Sequence, residues 1–206
     1  MEGFRQGKKG YAAERACSRR GIVTVRKGGM SQSIYIRPYL MTDADALCEA
    51  VLESQAELRP WLAWCHDQYS IDDSRTGIAA QVEAFSAGQA YSFGIFDREG
   101  RLLGGSGLNQ ISEANQMANL GYWVRSSATR RSVASSATRL LVEWAFTNTQ
   151  LIRLEIVVST QNIPSQRAAE KAGAIREATL RGRLILRGRP HDCVVYSFIR
   201  DDFKVV

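Results

Sequence analysis

The chain has 206 residues, 45% of them hydrophobic and 23% charged, which is enough for one α/β domain and too little for two comfortable ones. This composition excludes general disorder. No apolar run approaches the roughly 20 residues of a membrane-spanning helix or forms a signal-peptide core at the N-terminus, so a cytoplasmic location is expected. The net charge of +6 is confined to one segment: residues 1–29 hold eight Lys or Arg against two acids, and from Met30 onward 19 basic side chains balance 19 acidic ones. Residues 1–29 therefore read as a flexible extension or the product of an upstream start, with a basic arm touching RNA as the sharper alternative. Residues 30–206 form the domain. Cys17, Cys48, Cys65 and Cys193 are scattered, without the paired short spacings of a metal or redox site, and are expected to be reduced thiols.

Residues 33–37 alternate as a strand, and Thr42 with Asp45 resembles a capping box opening a helix that buries Leu47 and Val51. Helical stretches follow around 58–64 and over 73–87, the latter stopped by Gly88. Tyr91, Phe93 and Ile95 alternate into the turn Asp97-Arg98-Glu99-Gly100, so 91–108 reads as a hairpin, and 117–125 supplies another strand. In the helix after it, Val133, Ala137, Leu140, Leu141 and Trp144 share one face, while Ser135, Arg139 and Glu143 are expected to face away. A strand apolar on both faces covers 152–158. A helix over 162–173 has Pro164 in its first turn and Gly173 at its stop. Strands over 180–187 and 193–199 close the order.

Two junctions carry chemistry. The polar loop from Ser126 to Arg131 leads into a helix N-terminus, where unpaired N–H groups and the positive dipole end suit a phosphate, and Arg130 and Arg131 add two guanidinium groups. Asn162-Ile163-Pro164-Ser165 repeats the arrangement one strand later, with helix capping as the plainer reading of Asn162 and Ser165. Both lie at strand C-terminal ends, where open α/β sheets gather ligands. Cys193, inside a strand, reads as core. His66 and His191 read as solvated loop residues, and Arg181, Arg183, Arg187 and Arg189 as a solvated basic face.

Over 34–203 the sequence resembles the RimJ/RimL-type branch of the GNAT acetyltransferases. The resemblance rests on Ile36-Arg37-Pro38, Arg59-Pro60-Trp61-Leu62-Ala63-Trp64, Leu120-Gly121-Tyr122-Trp123-Val124 and Trp144-Ala145-Phe146. It continues through Leu151-Ile152-Arg153-Leu154-Glu155 and Asn162-x-x-Ser165 to Glu170-Lys171-Ala172-Gly173-Ala174. It implies a mixed, mostly antiparallel sheet of about seven strands, helices on both faces, and a splayed strand pair that holds coenzyme A. The pyrophosphate loop of that family, Q/R-x-x-G-x-G/A, falls on Thr129, Arg130, Arg131, Ser132, Val133 and Ala134, with Thr129 in place of Gln or Arg and Ser132 in place of Gly. By the same resemblance Trp123, Val124 and Ser126 supply the strand edge that holds the pantetheine arm, and an amide near Val124 polarises the thioester carbonyl.

Many GNAT enzymes place a tyrosine acid seven residues after the asparagine. Here that position is Ala169, and Ser165 takes the role in this branch, with Asn162 orienting the pantetheine. Asn119 stands where a glutamate is often found; with Trp61 and Trp64 it is a candidate acceptor contact. The implied reaction is direct transfer of acetyl from acetyl-CoA, without a metal, to a primary amine. A protein N-terminus, such as that of a ribosomal protein, is the first candidate, and a small amine (amino sugar, polyamine or drug) the second. A non-catalytic acyl-CoA-binding or nucleic-acid-contacting protein is the reading of another class. Monomer and homodimer are both compatible.

Overall fold

The computed structural model describes Val23–Thr24 and residues 34–202; the rest of the basic extension lies outside the described residues. One sheet organises the chain. Its strands are β1 (Val23–Thr24), β2 (Ile34–Pro38), β3 (Tyr91–Asp97), β4 (Leu102–Ser112), β5 (Met117–Val124), β6 (Arg153–Ser159), β7 (Ile175–Leu186) and β8 (Arg189–Ile199). They lie in the order β1-β2-β3-β4-β5-β6-β8-β7, and every neighbouring pair is antiparallel except β5 and β6. Among the described residues five α-helices flank the sheet: α1 (Ala44–Glu53), α2 (Gln55–Leu58), α3 (Ile71–Ser86), α4 (Val133–Asn148) and α5 (Ile163–Ala172). Among the described residues no helix is long and apolar enough to cross a membrane.

The two faces of the sheet bury separate cores. Phe93, Ile95, Leu120, Leu140, Leu141, Leu154 and Tyr196 pack with α4 and α5 on one side, and Leu47, Val51, Ile78, Phe96 and Leu102 with α1 and α3 on the other. The apolar stripe on α4 is buried as its spacing requires, but Ser135 is buried with it, its hydroxyl donating to the Ser132 carbonyl. Arg139 turns from Glu143 to donate to the Ala172 carbonyl and so links α4 to α5. The helix expected over 58–64 is confined to Gln55–Leu58, because Pro60 has no N–H to continue it. The first helix starts not at a Thr42 box but after a 3-10 turn, where Asp43 accepts the Leu40 amide and pairs bidentately with Arg37 at 2.6 and 2.7 Å. Burial opposes ionisation of Asp43, yet the Arg37 and Leu40 bonds keep its carboxyl below the usual range.

A buried arginine fixes the far end of β5. Arg125 is 2% exposed and donates to Glu49, Glu53 and the Leu102 carbonyl, so the strand end is tied to α1. The Arg125 hydrogen bond holds the Glu53 carboxyl at about 2, against an ordinary value of 4.5. A carboxylate depressed by folding stabilises the fold above its unfolded pKa and loses that contribution as pH falls through the folded one. Acid titration of stability should therefore steepen between about pH 4.5 and 2. Glu53→Gln is expected to flatten that limb, and chemical denaturation at about pH 2.5, 3.5, 5 and 7 measures it. An unchanged limb would show that Glu53 does not carry it.

Candidate active site

Strands β5 and β6 are hydrogen-bonded at Met117–Arg153, Ala118–Leu154 and Asn119–Glu155 and then part. Beyond that point β5 keeps β4 and β6 keeps β8, so a wedge opens between them. Residues along a strand alternate the neighbour that their N–H and C=O address. Arg125 N–H goes to the Leu103 carbonyl of β4 at 2.8 Å, so Trp123 also addresses β4, and the amides of Tyr122 and Val124 address the wedge. The three expected edge residues therefore divide. Val124 offers its backbone, Trp123 offers its side chain on the opposite face of the sheet, and the Ser126 amide is committed to Ser54 Oγ at 2.9 Å.

At the mouth of the wedge stands the N-terminus of α4. Ser136 is the first residue to bond back into the helix, to the Ser132 carbonyl, so the amides before it have no intrahelical acceptor. Arg130 and Ser132 adopt left-handed backbone, with φ of 59° and 63°. Glycine takes this conformation freely, and serine adopts it at a cost. Thr129 closes the preceding turn, its Oγ1 donating to the Ser126 carbonyl at 2.9 Å. Arg130 and Arg131 are exposed, Val133 is in the core and Ala134 is half-buried. Lys171 of α5 reaches across to Ser132 Oγ at 2.8 Å and brings a third cation to this helix end, whose dipole suits an anion.

On the other bank of the wedge, Asn162 caps α5, its Oδ1 accepting the Ser165 amide at 3.2 Å. Ser165 is half-buried and its hydroxyl donates to the Tyr122 oxygen at 3.2 Å, while Tyr122 donates to the Ser165 carbonyl at 2.8 Å. Tyr122 is a site residue that sequence reasoning did not single out. It sat inside a strand motif, and nothing in a strand pattern reports a contact 43 residues away.

A cleft of about 570 Å³ opens on the opposite face, between the sheet and α3, with Tyr39, Trp64, Tyr69, Trp123, Asp72 and Asp73 among its walls. Trp64 meets Trp123 edge-on at 5.9 Å. Trp61 and Asn119 are not among the lining residues; Asn119 donates to Asn109 Oδ1 at 2.9 Å near the closed end of the wedge. His66 sits 3.5 Å from Asp73. Arg187 is exposed like Arg181, Arg183 and Arg189, and from the β7–β8 turn it also donates to the carbonyls of Arg59 at 3.0 Å and Cys65 at 2.9 Å. Cys65 and Cys193 are fully buried, and burial pushes both thiols up, which leaves them poor nucleophiles. Among the described residues no group of His, Cys, Asp or Glu is arranged to hold a metal ion.

Comparison with known proteins places the chain in a family: residues 33–175 match the model of the acetyltransferase (GNAT) domain. The chain belongs to the GNAT acetyltransferase family. Among GNAT relatives, the Bacillus subtilis protein named Probable N-acetyltransferase YjcK is 32% identical over 83% of this chain and 96% of its own length. The Escherichia coli ribosomal-protein-serine acetyltransferase is 26% identical over 84% of this chain and 96% of its own. The solved structure of RimL, a ribosomal L7/L12 α-N-protein acetyltransferase in complex with coenzyme A, has the same fold. It is 22% identical, with a TM-score of 0.76 over 86% of this chain and 97% of that one.

Proposed function

We propose that this GNAT acetyltransferase moves an acetyl group from acetyl-CoA to a primary amine, and that the acceptor is a protein N-terminal α-amine. The observation that carries the reading is the β5–β6 wedge, with free backbone groups along β5, an anion-binding helix end at its mouth and a hydroxyl on its far bank. In this reading the amides of α4 with Arg130 and Arg131 hold the pyrophosphate, the edge at Val124 receives the pantetheine and polarises the thioester carbonyl, and the Asn162 carboxamide orients it. The amine attacks the carbonyl carbon from the aromatic cleft, the C–S bond breaks with its electron pair passing to sulfur, and Ser165 hydrogen-bonds the departing thiolate. The amine proton passes to water. An α-amine, with a pKa near ~7.7–8.0, is partly neutral at physiological pH, whereas a lysine amine near ~10.4 would need a base. The ribosomal-protein acetyltransferases among the relatives support a ribosomal protein as acceptor.

A small cationic amine is the second reading, favoured by the carboxylates of Asp72 and Asp73 on the cleft wall. The test is thiol release from acetyl-CoA across a panel of N-terminal peptides and small amines, with cofactor binding followed by calorimetry. Peptides are expected to turn over and small amines not. Turnover of small amines alone would replace the first reading by the second, and cofactor binding without turnover would reduce the protein to an acyl-CoA-binding module.

A further inference from the structure

The hydroxyl of Tyr122 lies beside the reacting end of this site and has no part in the chemistry above. Tyr122 stands three residues beyond the last hydrogen-bonded pair of β5 and β6, and it makes a reciprocal contact with one residue across the wedge. Its O–H goes to the Ser165 carbonyl at 2.8 Å, and the Ser165 O–H comes back to its oxygen at 3.2 Å. A serine hydroxyl otherwise rotates freely and has three staggered side-chain positions to choose from. The longer, weaker bond of the pair is the one that involves the serine proton.

We propose that Tyr122 is a positioning residue for acyl transfer: it holds the Ser165 hydroxyl in one orientation at rest and supports it when the hydroxyl turns to the leaving sulfur. The inference rests on the role given to Ser165 above. As the amine bonds to the carbonyl carbon and the C–S bond breaks, the Ser165 O–H exchanges the Tyr122 oxygen for the sulfur. The Tyr122 O–H then exchanges the Ser165 carbonyl for Ser165 Oγ. Hydrogen bonds move and no proton changes owner within the pair. A serine that accepts one hydrogen bond is polarised to donate the next more strongly. The Ser165 carbonyl is not orphaned by the exchange, because it lies in the first turn of α5, where the helix ladder supplies the Ala169 amide.

The environment separates this role from that of an acid. Burial is the main cause that pushes the Tyr122 phenol up to about 12, and the titratable group beside it is Tyr196 of β8, itself bonded to Glu170 of α5. A phenol so far above a thiol near ~8.5 gives up no proton to a thiolate, yet it remains a donor at every working pH. Ala169, fully buried two turns into α5 in chain order, offers no hydroxyl in its stead.

Turnover, KM for acetyl-CoA and melting temperature are to be measured for the wild type, Ser165→Ala, Tyr122→Phe and the double variant, with acetyl-CoA and the best acceptor of the panel. Tyr122→Phe is expected to lower kcat roughly tenfold, the worth of one well-placed hydrogen bond, with KM for acetyl-CoA within about twofold. In the Ser165→Ala background it should lower kcat no further. An equal loss in both backgrounds would overturn the inference and leave the Ser165 role standing, and so would a raised KM with unchanged kcat. Unchanged kcat in Ser165→Ala would overturn both. Should Tyr122→Phe fail to fold, Tyr122→Leu takes its place in both backgrounds, with the same loss expected and the same outcomes overturning the inference.

Discussion

Ser165→Ala is expected to lower kcat by about 10²-fold while acetyl-CoA affinity stays within about twofold. In the proposed mechanism the hydroxyl meets the thiolate only as the C–S bond breaks, so its removal should cost transition-state stabilisation and leave ground-state cofactor contacts in place. The lower end of the range for acid–base assistance applies, because a thiolate leaves readily without a full proton. The helix start should survive, since the cap bond runs from the Ser165 backbone amide to Asn162 Oδ1 and does not use the hydroxyl. Steady-state kinetics, calorimetric titration with CoA and a thermal melt on one preparation check all three quantities. A variant with wild-type kcat and a lowered melting temperature would leave Ser165 a structural residue.

Gly104→Ala should have the largest effect on stability. A Cβ at this position would lie 2.2 Å from the Trp123 carbonyl oxygen and 2.9 Å from Val124 Cα, both backbone atoms of the neighbouring strand. A flexible side chain could step aside, but the backbone of β5 can move only by breaking its ladder with β4. Overpacking of this kind costs about 3 kcal/mol, or a fall in Tm of roughly 6–12 °C for a chain of this size. Since Val124 is the residue whose amide faces the wedge, cofactor affinity should fall with stability. A melt within about 2 °C of the wild type would show that the strands accommodate the methyl group. The adjacent Gly105 faces the other way, with Tyr39 Oη and Trp123 Nε1 at 2.4 and 2.6 Å from its virtual Cβ. The two glycines thus allow β5 to approach β4 on one side and two aromatic walls of the cleft to close on the other.

Much of this was legible in the residues, for identifiable reasons. The stripe on α4 repeats its apolar residues with the helical period, and α5 carries Pro164 and Gly173 at the positions where those residues fit a helix best. Both polar loops announced themselves as helix starts. The early part of β7 did not, because Ile175–Leu186 is a sheet edge that alternates no buried face. Arg125 had nothing in sequence to distinguish it from a surface cation, and its burial follows from two carboxylates on a helix 72 and 76 residues earlier. Arg187 is exposed as its sequence suggested, but its carbonyl partners, more than 120 residues away, were not visible there. The departure at Ser132 was visible, but its left-handed φ and its contact with Lys171 belong to the folded chain.

The placement of β8 between β6 and β7 governs the order in which this molecule can be assembled. β7 leaves the ribosome before β8 and has no other partner among the described strands, so it must wait for Arg189–Ile199 to be made and inserted beside β6. Synthesis proceeds at ~5–20 residues per second, and domains begin to fold from their N-terminal side. Strands β3 to β5 can thus pair by local hairpins, and β2 can join β3 across the intervening helices α1 to α3, while the later strands are still missing. The Arg187 clasp on Arg59 and Cys65 can form only after that insertion, and it joins segments of large sequence separation, which fold slowly. A nascent chain accordingly acquires the loop at the start of α4 first and the Arg187 clasp last, so a product stalled before β8 would present the first of these without the second.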